Sequence, residues 1–135
     1  GFLFLDKTDH DNFSESQTEV VREQIGNYEK RFGKLPPSFT GDKAYGSRGN
    51  RDYLEGEQKI RTSFVRLGKK KTGEDKKTSW FKRKQKERNR IEGNFGNGKE
   101  HYRLNRVWYH GPQGSEIWTR GGILAMNLKT ALARI

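Results

Sequence analysis

Arg88, Glu92 and Lys99 stand at positions i, i+4 and i+11, which sets one carboxylate between two cations. At 3.6 residues per turn the three share one face of a helix. Ile91 and Phe95, also four apart, would turn an apolar face inward. One reading is a solvated i,i+4 ion pair worth a few tenths of a kcal/mol. The other is a metal-binding carboxylate with cations placed to hold phosphates. Spacing alone does not choose between them. A second acid, Asp42, follows the short segment Ser38-Phe39-Thr40-Gly41. In open α/β sheets functional groups gather where strands end; a turn or helix cap is the competing role for an Asp there.

The surroundings of both acids are specific. Arg88-x-x-x-Glu92 continues as Phe95-Gly96-x-x-Lys99 and then Tyr102-Arg103-Leu104-Asn105-Arg106. A second block reads Asp42-Lys43-Ala44-Tyr45-Gly46-Ser47-Arg48-Gly49-Asn50-Arg51. A third runs from Gly1-Phe2-Leu3-Phe4-Leu5-Asp6 to Asp11-Asn12-Phe13-Ser14-Glu15-Ser16. In this order the three resemble the DDE transposases of bacterial insertion sequences. The likeness covers most of the chain and is weakest from about residue 68 to residue 86.

The resemblance implies an α/β, RNase H-like fold: a mixed sheet flanked by helices, with catalytic carboxylates brought together from distant parts of the sequence. It implies that residues 1–135 are the C-terminal portion of the catalytic domain. The first acid would then lie upstream, the sheet would be incomplete with its first strands missing, and the chain would be inactive alone. Residue by residue, Asp42 matches the second acid and Glu92 the third, 92 − 42 = 50 positions apart. Both would be catalytic and metal-binding, holding Mg²⁺ or Mn²⁺, with two ions in the complete site. Such ions activate a water or a 3′-hydroxyl and stabilise the leaving oxygen of an in-line displacement. Arg88 and Lys99 would face phosphates, the one as a planar fork and the other as a point charge. Lys43 and Tyr45 would position DNA. The partners implied are transposon ends, target DNA and a second copy of the protein.

Composition agrees with a polyanionic partner. The net charge is +11 and only 30% of residues are hydrophobic, with a pI near 10.0 and a mean hydropathy of −1.14. Nucleic acid leads, because each phosphate neutralised by Lys or Arg releases counterions. No apolar run approaches the roughly 20 residues needed to span a bilayer. The absence of cysteine excludes disulfides and Cys-ligated zinc. It fits a cytoplasmic protein; the resemblance implies a bacterial, nucleoid-associated one. His10, His101 and His110 show no metal-ligand spacing.

The elements that must position these groups can be read in order. Residues 1–5 form an apolar run too short for a helix and read as a strand. Asp6, Asp9 and Asp11 read as turn and loop residues. Ser14-x-x-Gln17 reads as a capping box, opening a helix whose stripe is Val21, Ile25, Tyr28 and Phe32, with Gly33 past its end. Residues 38–41 read as a strand. Ser47 caps a helix to about residue 55 that buries Tyr53 and Leu54. Arg48 and Arg51 near its start either reach DNA or are solvated. Residues 60–67 read as another strand.

Lys69, Lys70 and Lys71 open a charged, aperiodic stretch at about 68–79, read as a mobile basic loop beside Trp80-Phe81-Lys82-Arg83-Lys84. Interleaved aromatic and basic residues favour a nucleic-acid contact there. The helix bearing Glu92 should span about 80–95, since Gly93, Gly96 and Gly98 each cost about 1 kcal/mol relative to Ala in a helix interior. Those glycines mark either a close backbone approach or an early helix end. Residues 101–109, with Arg103 and Arg106, read as extended. Residues 111–114 read as a turn, and Ser115 opens a last helix with Ile117, Leu124, Leu128 and Leu132 inward. A non-catalytic basic nucleic-acid-binding module remains the alternative, motivated by charge and by the aromatic-basic interleaving.

Overall fold

The stripe Val21, Ile25, Tyr28 and Phe32 is carried by α1, Thr18–Phe32, in a computed structural model that describes residues 2–6, 14–64, 78–109 and 111–135. After it come β1, Ser38–Phe39; a 3₁₀ turn, Ala44–Gly46; α2, Arg48–Arg51, continued by a π-type turn, Asp52–Glu57; β2, Arg61–Thr62; α3, Ser79–His101; and α4, Pro112–Leu132. The described residues are thus mixed α/β and mostly helical. Their sheet is a parallel pair, Ser38 opposite Arg61 and Phe39 opposite Thr62. The chain divides into two compact units, 11–89 and 1–10 with 90–135. No described helix is long and apolar enough to cross a membrane.

In the 11–89 unit the first half of the α1 stripe does what its spacing predicts, whereas Tyr28 is half-buried and Phe32, at the helix end, is exposed. Val21 and Ile25 are buried with Tyr53, Leu54, Ile60 and Phe64, and Leu35, Phe39 and Tyr45 pack against that cluster. Tyr28 and Phe32, nearer the helix end, lie ring against ring at 4.5 Å. Gly33 ends the helix at φ 69°, its N–H donating to Glu29 O at 2.8 Å. That left-handed geometry carries no Cβ penalty at Gly.

The expected capping box does not form. Gln17 takes the N-cap place without a side-chain bond. Ser14 instead closes a turn, its carbonyl accepting from Gln17 N–H at 2.9 Å, while its hydroxyl meets Ser16 Oγ at 2.7 Å. A hydroxyl engaged with its neighbour is lost to the helix end.

Within the strand expected over 60–67, Arg61–Thr62 is extended and residues 65–67 lie outside the described ones. Ser63, fully buried, has each polar group met: its N–H donates to Phe39 O at 3.0 Å, its hydroxyl to Thr40 Oγ1 at 2.9 Å, and its carbonyl accepts from Gln85 Nε2. Such full satisfaction is what makes burial of a polar residue tolerable.

The other unit departs more from expectation. Residues 2–6 form no strand. Both backbone groups of Leu3 are held by one side chain: Leu3 N–H donates to Asn127 Oδ1 at 2.8 Å, and Asn127 Nδ2 donates to Leu3 O at 2.7 Å. An amide side chain thereby stands in for a neighbouring strand.

Helix α3 runs to His101, beyond the expected end near residue 95 and through all three glycines. At Gly98 the close-approach reading holds, since a Cβ would lie 3.0 Å from Leu104 Cδ1 and 3.1 Å from Met126 Sδ. Gly93 and Gly96 face open space. The contact with α4 is made at this glycine, and Ile91 and Phe95 are exposed rather than inward. Past His101 the chain is irregular, not extended: Arg103 takes φ 53°, and Gly98 O accepts from Tyr102 and Leu104 N–H, each at 3.1 Å.

Helix α4 starts at Pro112, not Ser115. Proline's missing N–H costs nothing at a first helical position, so the expected turn at 111–114 becomes the helix start. Its inward face is also corrected. Ile117, Leu124, Leu128 and Leu132 are 57–71% exposed, while Met126, about half a turn away, is buried. Gly122 admits the Leu104 side chain where a Cβ would sit. With apolar residues on both faces, periodicity did not distinguish them.

Candidate catalytic carboxylates and nucleic-acid interface

Asp42 follows β1 as expected, three residues past Phe39, and is exposed. Its Oδ1 accepts from Ala44 N–H at 2.7 Å, closing an Asx turn. No hydrogen bond reaches Oδ2 among the described residues. The 3₁₀ turn follows at once, with Gly46 N–H donating to Lys43 O at 3.0 Å. Tyr45 folds back over Gly41 and packs on Phe39 at 5.4 Å between ring centroids. Lys43 is exposed beside the acid, whereas Tyr45 is half-buried and leans on the core.

Gly41 has a specific reason to be glycine. A Cβ there would fall 2.7 Å from Tyr45 Cδ2 and 3.0 Å from Cγ. The Gly41→Ala variant should therefore displace the Tyr45 ring and cost about 1–3 kcal/mol, the usual range for overpacking. Urea unfolding would measure the cost; an unchanged midpoint would show that the ring gives way freely.

Ser47 caps α2 as read from sequence, its Oγ accepting from Asn50 N–H at 3.2 Å. Arg48 is solvated, its contact with Asp52 being a 3.7 Å pair between exposed side chains. Arg51 is half-buried, with Nε donating to Ser47 O at 3.4 Å. It lines a cleft of about 160 Å³ with Glu55, Arg61, Thr62 and Trp80. There the Arg61 guanidinium lies 3.8 Å from the Trp80 ring centroid. Sequence reading missed Arg61 as part of a basic-aromatic group; its only signal was an Arg in a strand. Lys69, Lys70 and Lys71 lie outside the described residues.

Arg88, Glu92 and Lys99 are all carried by α3, and Glu92 and Lys99 are exposed. Beyond the helix, Arg103 and Arg106 are exposed. Arg106 sits 4.8 Å from the Trp108 ring centroid, and Trp108 and Tyr109 are exposed with it. Trp118 steadies this corner, its Nε1 donating to Arg103 O at 3.1 Å. Cation–π pairing on an open aromatic surface is what a single-stranded or distorted nucleic acid stacks upon.

A family model described as the transposase DDE domain matches residues 8–128, a span holding both acids and every cation above. The chain belongs to the DDE transposase family. No curated protein and no solved structure matches it. Membership gives the chain a function in transposition, with DNA as partner.

DDE transposases use divalent metal ions, which need hard oxygen donors. Among the described residues no three His, Asp or Glu side chains gather as a metal site. Asp9, Asp11, His10 and His110 lie outside those residues, and His101 stands 3.9 Å from Glu100. Asp42 taken singly does fit: one oxygen is fixed by a backbone N–H and the other is open, a hard donor of the kind Mg²⁺ and Mn²⁺ prefer.

Proposed function

We propose that this domain takes part in metal-dependent DNA strand cleavage and strand transfer in a bacterial insertion-sequence transposase, supplying the second and third acidic residues. The observation that carries the reading is the Asp42 turn. A carboxylate after a strand, fixed through one oxygen and open at the other, lies inside the matched DDE span. Asp42 and Glu92 would hold Mg²⁺ or Mn²⁺, and Arg88 and Lys99 would face phosphates. Lys43 and Tyr45 set the DNA beside the acids, with Arg48, Arg51, Lys69, Lys70 and Lys71 adding backbone contacts. When bound, two such ions supply an activated water or 3′-hydroxyl and stabilise the leaving oxygen. The chain's own residues orient the phosphate and neutralise it. A dimer acting in the bacterial cytoplasm, at the nucleoid, completes the proposal. The test is Mn²⁺-dependent cleavage of transposon-end DNA by a transposase carrying this domain. An unchanged rate in Glu92→Gln would reject the assignment.

A non-catalytic nucleic-acid-binding module is supported by a separate observation, the exposed Arg106–Trp108 pair beside Arg103. On that reading, replacing Arg103 and Arg106 with Ala lowers the slope of log K against log salt by about 0.9 per lost phosphate contact on duplex DNA. Asp42→Asn would leave binding unaltered. An unaltered slope in the Arg variant would remove this surface as the contact.

A further inference from the structure

Asn50 is fully buried in the 11–89 unit, and everything its amide nitrogen touches is backbone. Nδ2 donates to Glu15 O at 2.8 Å and to Tyr45 O at 3.2 Å. Two carbonyl acceptors fix which end of the amide faces them, since only the NH₂ end can donate. Asn50 N–H goes to Ser47 Oγ at 3.2 Å, and that hydroxyl donates onward to Ser16 O at 3.0 Å. Gly49, between them, is pressed on the start of α1, where a Cβ would fall 2.6 Å from Thr18 Oγ1.

Asn50 Oδ1 is buried and has no hydrogen-bond partner among the described residues. A buried acceptor left unmet is costly, and an apolar side chain of similar shape would avoid that cost. The amide is therefore retained for what Nδ2 does. One of its two targets, the Tyr45 carbonyl, belongs to the 3₁₀ turn that follows Asp42. Between the acid and that carbonyl, Asp42 Oδ1 takes Ala44 N–H and Lys43 O takes Gly46 N–H. A tether at Tyr45 O thus holds the far end of a turn whose near end is the carboxylate.

We propose that Asn50 is a positioning residue for Asp42: its side-chain amide anchors the 42–46 turn at Tyr45 O and ties it to Glu15 O, so fixing where the carboxylate points. Asn50, fully buried, would act through the turn rather than by contact with metal or DNA. The proposal deepens the metal-ligand reading of Asp42 and rests on it for its functional meaning; the anchoring itself does not.

The test uses the 135-residue chain, read by amide hydrogen exchange and by Mn²⁺ paramagnetic broadening. In Asn50→Ala the Ala44 and Gly46 amides exchange about tenfold faster, the scale expected for one lost hydrogen bond. The α1 amides of Val21 and Ile25 keep their protection. The Mn²⁺ concentration giving half-maximal broadening at Asp42 rises about tenfold, as for lost support of a ligand. Ser47→Ala removes the tether to Ser16 but leaves Nδ2 on Tyr45 O, so Ala44 exchange and the Mn²⁺ midpoint stay near those of the parent chain.

Equal shifts in both variants would overturn the proposal by showing general loosening, and so would unchanged Ala44 and Gly46 exchange in Asn50→Ala. If Asn50→Ala loses α1 protection, Asn50→Ser, which refills part of the space without spanning both carbonyls, is read by the same criteria. Should Asp42→Asn leave Mn²⁺ broadening intact, the ligand reading of Asp42 fails. The exchange comparison then still decides whether Asn50 anchors the turn.

Discussion

Replacing Leu54 with Ala is expected to destabilise the 11–89 unit by about 2–5 kcal/mol, the range for emptying a fully buried leucine site. Leu54 is 0% exposed and shares its cluster with Val21, Ile25, Tyr53, Ile60 and Phe64. Its carbonyl also accepts from Ile60 N–H at 2.7 Å, which starts the chain into β2. The residue thus sets both the packing and the return of the backbone. A domain's whole stability is commonly about 5–15 kcal/mol, so this one truncation removes a large share of it. Leu132, 71% exposed on α4, is the matched control, because exposed substitutions of this kind fall within about 0.5 kcal/mol of neutral. Urea unfolding of both variants makes the comparison. A Leu54→Ala midpoint no lower than that of Leu132→Ala would mean that the cluster is not the core.

What was legible in the sequence was local. Val21 and Ile25 announced their buried face through spacing, Gly33 the end of α1, and Ser47 the start of α2; in each, signal and partner lie within a few residues. Tyr53 and Leu54 were read as buried on the helix that Ser47 caps, and they are, although a π-type turn carries them. What was not legible depended on distant partners. The apolar run at 2–6 has the composition of a strand, but Leu3 found its hydrogen bonds on Asn127, 124 positions away. Glycine propensity argued for an early end to α3, and the contact of Gly98 with Leu104 and Met126 outweighed it. Helix α4 offered two apolar faces, and the positions of Leu104 and Gly98 chose between them. The same division holds for the candidate site. Asp42 and Lys43 were readable as part of a motif, whereas the Arg61–Trp80 stack needed β2 and α3 to be placed first.

Asp42→Asn and Glu92→Gln are each expected to lower Mn²⁺-dependent strand cleavage by at least about 100-fold. Loss of a supporting group around a ligand already costs about 10–100-fold in affinity or activity, and loss of the ligand itself should exceed that. The amide keeps the size of each side chain but removes the charge that a hard divalent cation needs. Fold damage is a weak rival explanation, because both residues are exposed and neither belongs to the buried cluster.

The double variant carries the sharper information. Groups that act as one unit are not additive, since losing the first already disables what the second served. If both acids serve one metal-dependent step, Asp42→Asn with Glu92→Gln cleaves no more slowly than the worse single variant by more than a small factor. If they act independently, the two losses multiply. Multiplied losses, or full cleavage in either single variant, would return the domain to the reading in which its basic and aromatic surface binds nucleic acid and its acids are incidental.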